Sequence, residues 1–129
     1  MGRIRRKEVL AILGAALLLV VGGYLGLTVA LGAHPYWGMQ VVWVGIGIGA
    51  VIFGLSRLWR GHRLMKLGLA LVFLALSAGV VGIGKARFVV SYGDDFLAGR
   101  MWYFGWMAVV AFAFVLLAQL MAQMMARRG

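Results

Sequence analysis

The sequence predicts an all-α integral membrane protein, a bundle of four antiparallel transmembrane helices with both termini cytoplasmic. Three observations predict it. Hydrophobic residues make up 64% of the chain, where a soluble domain averages roughly 45–50%, and the mean hydropathy is +1.00. Four long apolar runs carry no Asp, Glu, Lys, Arg or His in their interiors. The basic residues collect at the ends of those runs, as membrane topology requires.

The first run, residues 9–31, is long enough to cross a hydrocarbon core of about 30 Å at about 1.5 Å per residue. A cleaved signal peptide is the rival reading. The basic start with Arg3, Arg5, Arg6 and Lys7 suits it, and Ala30-Leu31-Gly32 offers a small-x-small site. A signal core is only about 7–15 residues, so the run is assigned as a span. Residues 32–37 form a short turn around Pro35, the chain's single proline, which cannot continue a helix. The second span covers about 38–58 and the third about 64–84. Residues 85–100 are the longest connection, and the fourth span covers about 101–126. Together they make one four-helix domain over residues 1–129.

Between the second and third spans lies the densest interior charge cluster, with Arg57, Arg60, Arg63 and Lys66. These four are assigned to topology and lipid headgroups. The N-terminus, this cluster and the C-terminus share one side and hold ten of the thirteen Lys and Arg; Lys85, Arg87 and Arg100 fall on the other. The richer side is expected to be cytoplasmic, which places the protein in a cell (inner) membrane. The net charge of +10 would suggest nucleic acid in a soluble domain. Here it follows membrane ends, so the bilayer is the expected partner, at about 1 kcal/mol per cation near anionic lipid.

Tyr36, Trp37, Trp43, Tyr92, Trp102, Tyr103, Phe104 and Trp106 all fall near the outer ends of spans, where amphipathic rings sit at headgroup level. This heavy belt would meet lipid or a docked partner, and Trp102 and Trp106 are its candidate anchors. Residues 36–42 and 103–110 look alike. Two helices entering from the same side both need such a belt, which explains the likeness without a duplication.

Glycine carries the packing signal. Gly14, Gly22 and Gly26 share a stripe of the first span. Gly45 and Gly49 do so in the second, with Gly38 a heptad earlier. Gly68, Ala75 and Gly82 form a heptad series in the third, and Ala118, Ala122 and Ala126 repeat in the fourth. Small residues at these spacings let backbones approach, so van der Waals contact can join helices where no hydrophobic effect acts. Gly47 and Gly54 lie off the main stripe, a surplus that points toward a second protein.

Chemistry-bearing residues are few. Cys is absent, which removes disulfides and thiolate sites. Proton-coupled transporters and voltage sensors place ionisable groups within the membrane; these runs hold none. Glu8 reads as a helix-start carboxylate paired with neighbours and the helix dipole. Gln119 and Gln123, one turn apart, could bond to another helix or reach the headgroups. His34, Asp94 and Asp95 share the outer side and could ligate a divalent metal, but they lack helical ligand spacing, and Gly93-Asp94-Asp95 also reads as a turn. No catalytic residue, cofactor or metal is therefore assigned. The expected function is non-catalytic: an accessory or structural subunit, or an assembly factor, of a larger membrane complex. The alternative is a small homo-oligomeric channel or transporter for an uncharged or weakly polar solute.

Overall fold

The computed structural model describes the chain from Arg6 to Arg128, and its side chains as far as Met125. Arg3 and Arg5, and the side chains of Ala126, Arg127 and Arg128, lie outside the described residues. Five helices follow one another: α1 Arg6–Tyr24, α2 Leu27–Ala30, α3 Gly38–Leu58, α4 Arg63–Val90 and α5 Phe96–Arg128. Four of them, all but α2, are long and apolar enough to cross a membrane.

The first expected span is broken. Gly26 takes φ 88°, a left-handed conformation that glycine adopts without steric penalty. Its amide donates to Gly23 O at 3.0 Å, the kind of bond that closes a helix end. Gly26 is therefore a stop and not part of a packing stripe. Beyond it α2 makes a single turn, ended by Gly32 at φ 117°. Thr28 Oγ1 donates to Gly38 O at 3.2 Å and ties α2 to the start of α3.

The expected connection at 85–100 is mostly helical. Only residues 91–95 separate α4 from α5. Tyr92 and Gly93 both have positive φ, at 54° and 86°, and Gly93 N donates to Phe88 O at 3.0 Å. Asp95 then caps α5: its Oδ1 accepts from Ala98 N at 3.0 Å, satisfying one of the amides a helix start leaves open. With 28 and 33 residues, α4 and α5 are about 42 and 50 Å long. Both exceed a core of about 30 Å, so either one crossing a bilayer would have to tilt or project beyond it.

Helix α5 is the hub. Helices α1 and α3 pack on it and on each other, and α4 packs on it from another side. One core cluster joins Ala11 and Ala15 of α1, Phe53 of α3, and Phe114, Ala118 and Ala122 of α5. The second gathers Val41 and Val42 with Val81, Trp102, Trp106 and Val110. Small residues set the spacing. A β-carbon on Gly45 would lie 2.5 Å from Val110 Cβ, and one on Gly49 2.8 Å from Ala111 O. A β-carbon on Gly84 would lie 2.7 Å from Trp102 N and 2.8 Å from Ala98 O, and one on Gly105 2.9 Å from Val81 Cγ2.

Candidate functional site: a polar node and a cleft at the basic end

Where the start of α1 meets the end of α3 and the later part of α5, four polar side chains join. Arg57 donates to Glu8 Oε1 from Nη2 at 3.2 Å and from Nε at 3.4 Å. Its Nη1 donates to Gln119 Oε1 at 3.3 Å. Gln119 Nε2 donates to Ser56 Oγ at 2.8 Å, and Ser56 Oγ to Phe53 O at 2.7 Å. The Arg57 guanidinium also stands 5.6 Å from the centroid of the Phe53 ring, within cation–π range. Glu8 and Gln119 are buried, at 7% and 3% exposure. The chain of bonds runs from carboxylate to backbone carbonyl, with the Arg57 fork and both ends of the Gln119 amide in use. A buried polar network must be this complete to be tolerated at low dielectric.

Sequence reasoning missed this node. Glu8 is the only Glu in the chain, and Lys7 beside it looked like a sufficient partner. Only the tertiary structure selects Arg57, 49 residues away. The faint signal was Gln119, a polar group within an otherwise apolar run.

The four basic residues assigned to headgroups do not act alike. Arg57 belongs to α3 and is held in the node. Arg60 and Arg63 are exposed. Lys66, in the second turn of α4, is half-buried and lines a cleft of about 170 Å³ between α3 and α4, floored by α5. Its walls include Ile52, Leu69, Phe73, Phe112 and Val115, with Ser56, Gln119 and Trp59 at the polar end. His62 caps α4, its Nδ1 accepting from Leu64 N at 3.1 Å.

The candidate packing residues also divide. Gly45 and Gly49 meet α5 as described. A β-carbon on Gly14 would lie 2.8 Å from Met121 Sδ of α5, whereas one on Gly22 would meet only Leu27, just past the helix break. Gly68 and Gly82 face open space, as do Gly47 and Gly54. The buried small residues of α4 are instead Ala70, Ser77 and Gly84.

Trp102 and Trp106 were expected as anchors on the outer face. They are buried within the fold, 7% and 5% exposed. Both belong to the face of α5 that packs on its neighbours. Trp102 Nε1 donates to Gly32 O at 3.0 Å, and its ring meets Trp37, His34 and Phe88. Trp106 Nε1 is buried and without a hydrogen-bond partner among the described residues. Tyr36, Trp43, Tyr92 and Phe104 of the expected belt are exposed, as is Phe96. His34 stacks on Trp37, while Asp95 is engaged as a helix cap. Among the described residues no group of three or more His, Cys, Asp or Glu is placed to hold a metal ion.

No protein-family model, curated protein or solved structure matches the chain.

Proposed function

We propose that the chain is a non-catalytic, multi-pass membrane protein serving as an accessory subunit or assembly factor of a larger membrane complex. One observation carries this reading. The fold consumes some of its small residues in internal contacts and leaves Gly68, Ala75 and Gly82 of α4 exposed, with Gly47 and Gly54 of α3 also facing open space. A glycine facing acyl chains gains nothing from them, but it lets another helix come close. The reading takes α1, α3, α4 and α5 as four antiparallel spans with both termini cytoplasmic. Pairings of Gly84 with Trp102, Val81 with Gly105 and Phe73 with Phe112 support opposed directions for α4 and α5, and the distribution of cations supports the orientation. The interior of one chain is filled by Phe53, Phe114 and alanines, which disfavours a pore through a single copy.

The test pairs Gly68→Leu with Gly82→Leu. Mild-detergent purification of the native protein is expected to bring down a stoichiometric membrane partner, and the double variant to lose it while inserting normally. Solute flux through liposomes containing only this chain, abolished by the same pair, would instead establish the homo-oligomeric channel. A reporter fused after Gly129 should be cytoplasmic and one inserted at Gly93 external; the reverse result would overturn the orientation.

A further inference from the structure

We propose that the cleft between α3 and α4 binds an anionic phospholipid, with an acyl chain against Phe73 and Phe112 and its phosphate on Lys66. The inference takes the helices as membrane-spanning and is independent of any protein partner. Three observations meet here.

The first is shape and chemistry. The cleft is about 170 Å³ and almost wholly apolar, and its lining residues Leu69, Phe73 and Trp59 are exposed, so it is open to the surroundings. An apolar cavity of about 150 Å³ admits benzene, so this one accommodates a stretch of acyl chain on the order of six carbons. Its polar groups lie at one end, where Ser56 and Gln119 already bond to each other and Lys66 and Trp59 stand nearby. An amphiphile has this same division.

The second is charge. The chain has only three Asp and Glu. Glu8 is committed to Arg57. Asp94 and Asp95 lie in the turn beyond the far end of α4, about 42 Å along the helix from its start. Among the described residues no ion pair reaches the Lys66 ammonium, which also stands in the field of Arg57. A half-buried cation with no protein counter-ion calls for an external anion, and basic pockets between membrane helices recruit anionic headgroups.

The third is the gap itself. Helices α3 and α4 each pack on α5 but leave the groove between them unfilled by protein. Water finds few hydrogen-bond partners along so apolar a groove, and a free phosphate would occupy Lys66 yet leave the apolar walls bare. A phospholipid satisfies both.

The test uses the full chain in nanodiscs, transferred to mild detergent for native mass spectrometry. Phosphatidylglycerol and phosphatidylcholine with identical chains are the probes. Phosphatidylglycerol should be retained in preference, and Lys66→Gln should weaken its retention about fivefold. Arg63→Gln, an exposed cation outside the cleft, should weaken it clearly less. A phosphatidylglycerol carrying a photoactivatable acyl chain should label the peptides containing Phe73 and Phe112, and Leu69→Trp, which narrows the cleft from its exposed wall, should reduce that labelling. Equal retention of the two lipids, equal losses from Lys66→Gln and Arg63→Gln, or labelling spread evenly over the exposed helix faces would overturn the proposal. Displacement of the lipid by inorganic phosphate would reduce the site to an anion site and overturn it as a lipid site.

Discussion

Helix α4 carries two heptad series of small residues, and the fold treats them in opposite ways. Gly68, Ala75 and Gly82 are exposed, while Ala70, Ser77 and Gly84 are buried. The second series is the first moved by two residues, a rotation of about 200°, so the two lie on opposite sides of one helix. Helix α3 repeats the lesson with Gly45 and Gly49 against α5 and Gly47 and Gly54 in the open. Small-residue spacing announces that a helix has a close-packing seam. It does not say which of two equivalent seams this chain's own helices will occupy.

The comparison is broken or upheld first at the buried seams. Gly45→Leu with Gly49→Leu should destroy the fold. The first added carbon already lies 2.5 Å from Val110 on one turn and 2.8 Å from a backbone oxygen on the next, and overpacking costs about 1–3 kcal/mol per site where neighbours can shift. Backbone shifts less readily, so loss of a monodisperse peak in size-exclusion chromatography is expected, with Gly84→Leu behaving alike. A wild-type thermal midpoint for either would end the distinction between seams.

A smaller effect is expected at the polar node. Arg57→Met takes the guanidinium away from Glu8 and Gln119, and Glu8→Leu takes the carboxylate away from half-buried Arg57; each should cost about 1–3 kcal/mol. Removing both charges together as Glu8→Leu with Arg57→Met should recover part of that loss, since a buried pair replaced by apolar groups is often neutral. Unfolding in mixed micelles measures all three; additive losses in the double variant would show that the two side chains do not act as a pair.

The two buried tryptophans offer a finer contrast. Both Trp→Phe changes remove buried ring volume and carry a cavity cost. Trp102→Phe also forfeits the bond to Gly32 O, whereas Trp106→Phe removes a donor that has no partner among the described residues, so the first should cost about 1 kcal/mol more than the second. Equal losses would mean that ring volume, not the indole N–H, decides both sites.

The smallest effect on stability belongs to the exposed series. Gly68→Leu with Gly82→Leu adds side chains into open space and should move the unfolding free energy by no more than about 0.5 kcal/mol. A collapse comparable to the Gly45 and Gly49 pair would place these residues inside a seam of the chain's own fold and remove them as a surface for a partner.

Much of the architecture was legible from sequence because it depends on sums. Apolar length shows that four helices can cross a bilayer, and the clustering of cations marks where they end. The break at Gly26 was not legible, since a glycine inside an apolar run serves equally as a spacer or as a left-handed stop. The helical extensions of α4 and α5 were hidden for a related reason: Lys85, Arg87 and Arg100 end an apolar run without ending a helix. Glu8 shows the limit at the site, because a lone carboxylate among thirteen Lys and Arg has many partners in sequence and takes Arg57 only when α1 and α3 are side by side. Tertiary structure also decided which faces turned inward. In a soluble helix, water makes the outer face polar and the inner face is read from the pattern. Here lipid outside is as apolar as protein inside, so no polar stripe separates the face with Gly84 from the face with Gly82. Close fit against α5 made that choice, and fit exists only once the helices have met.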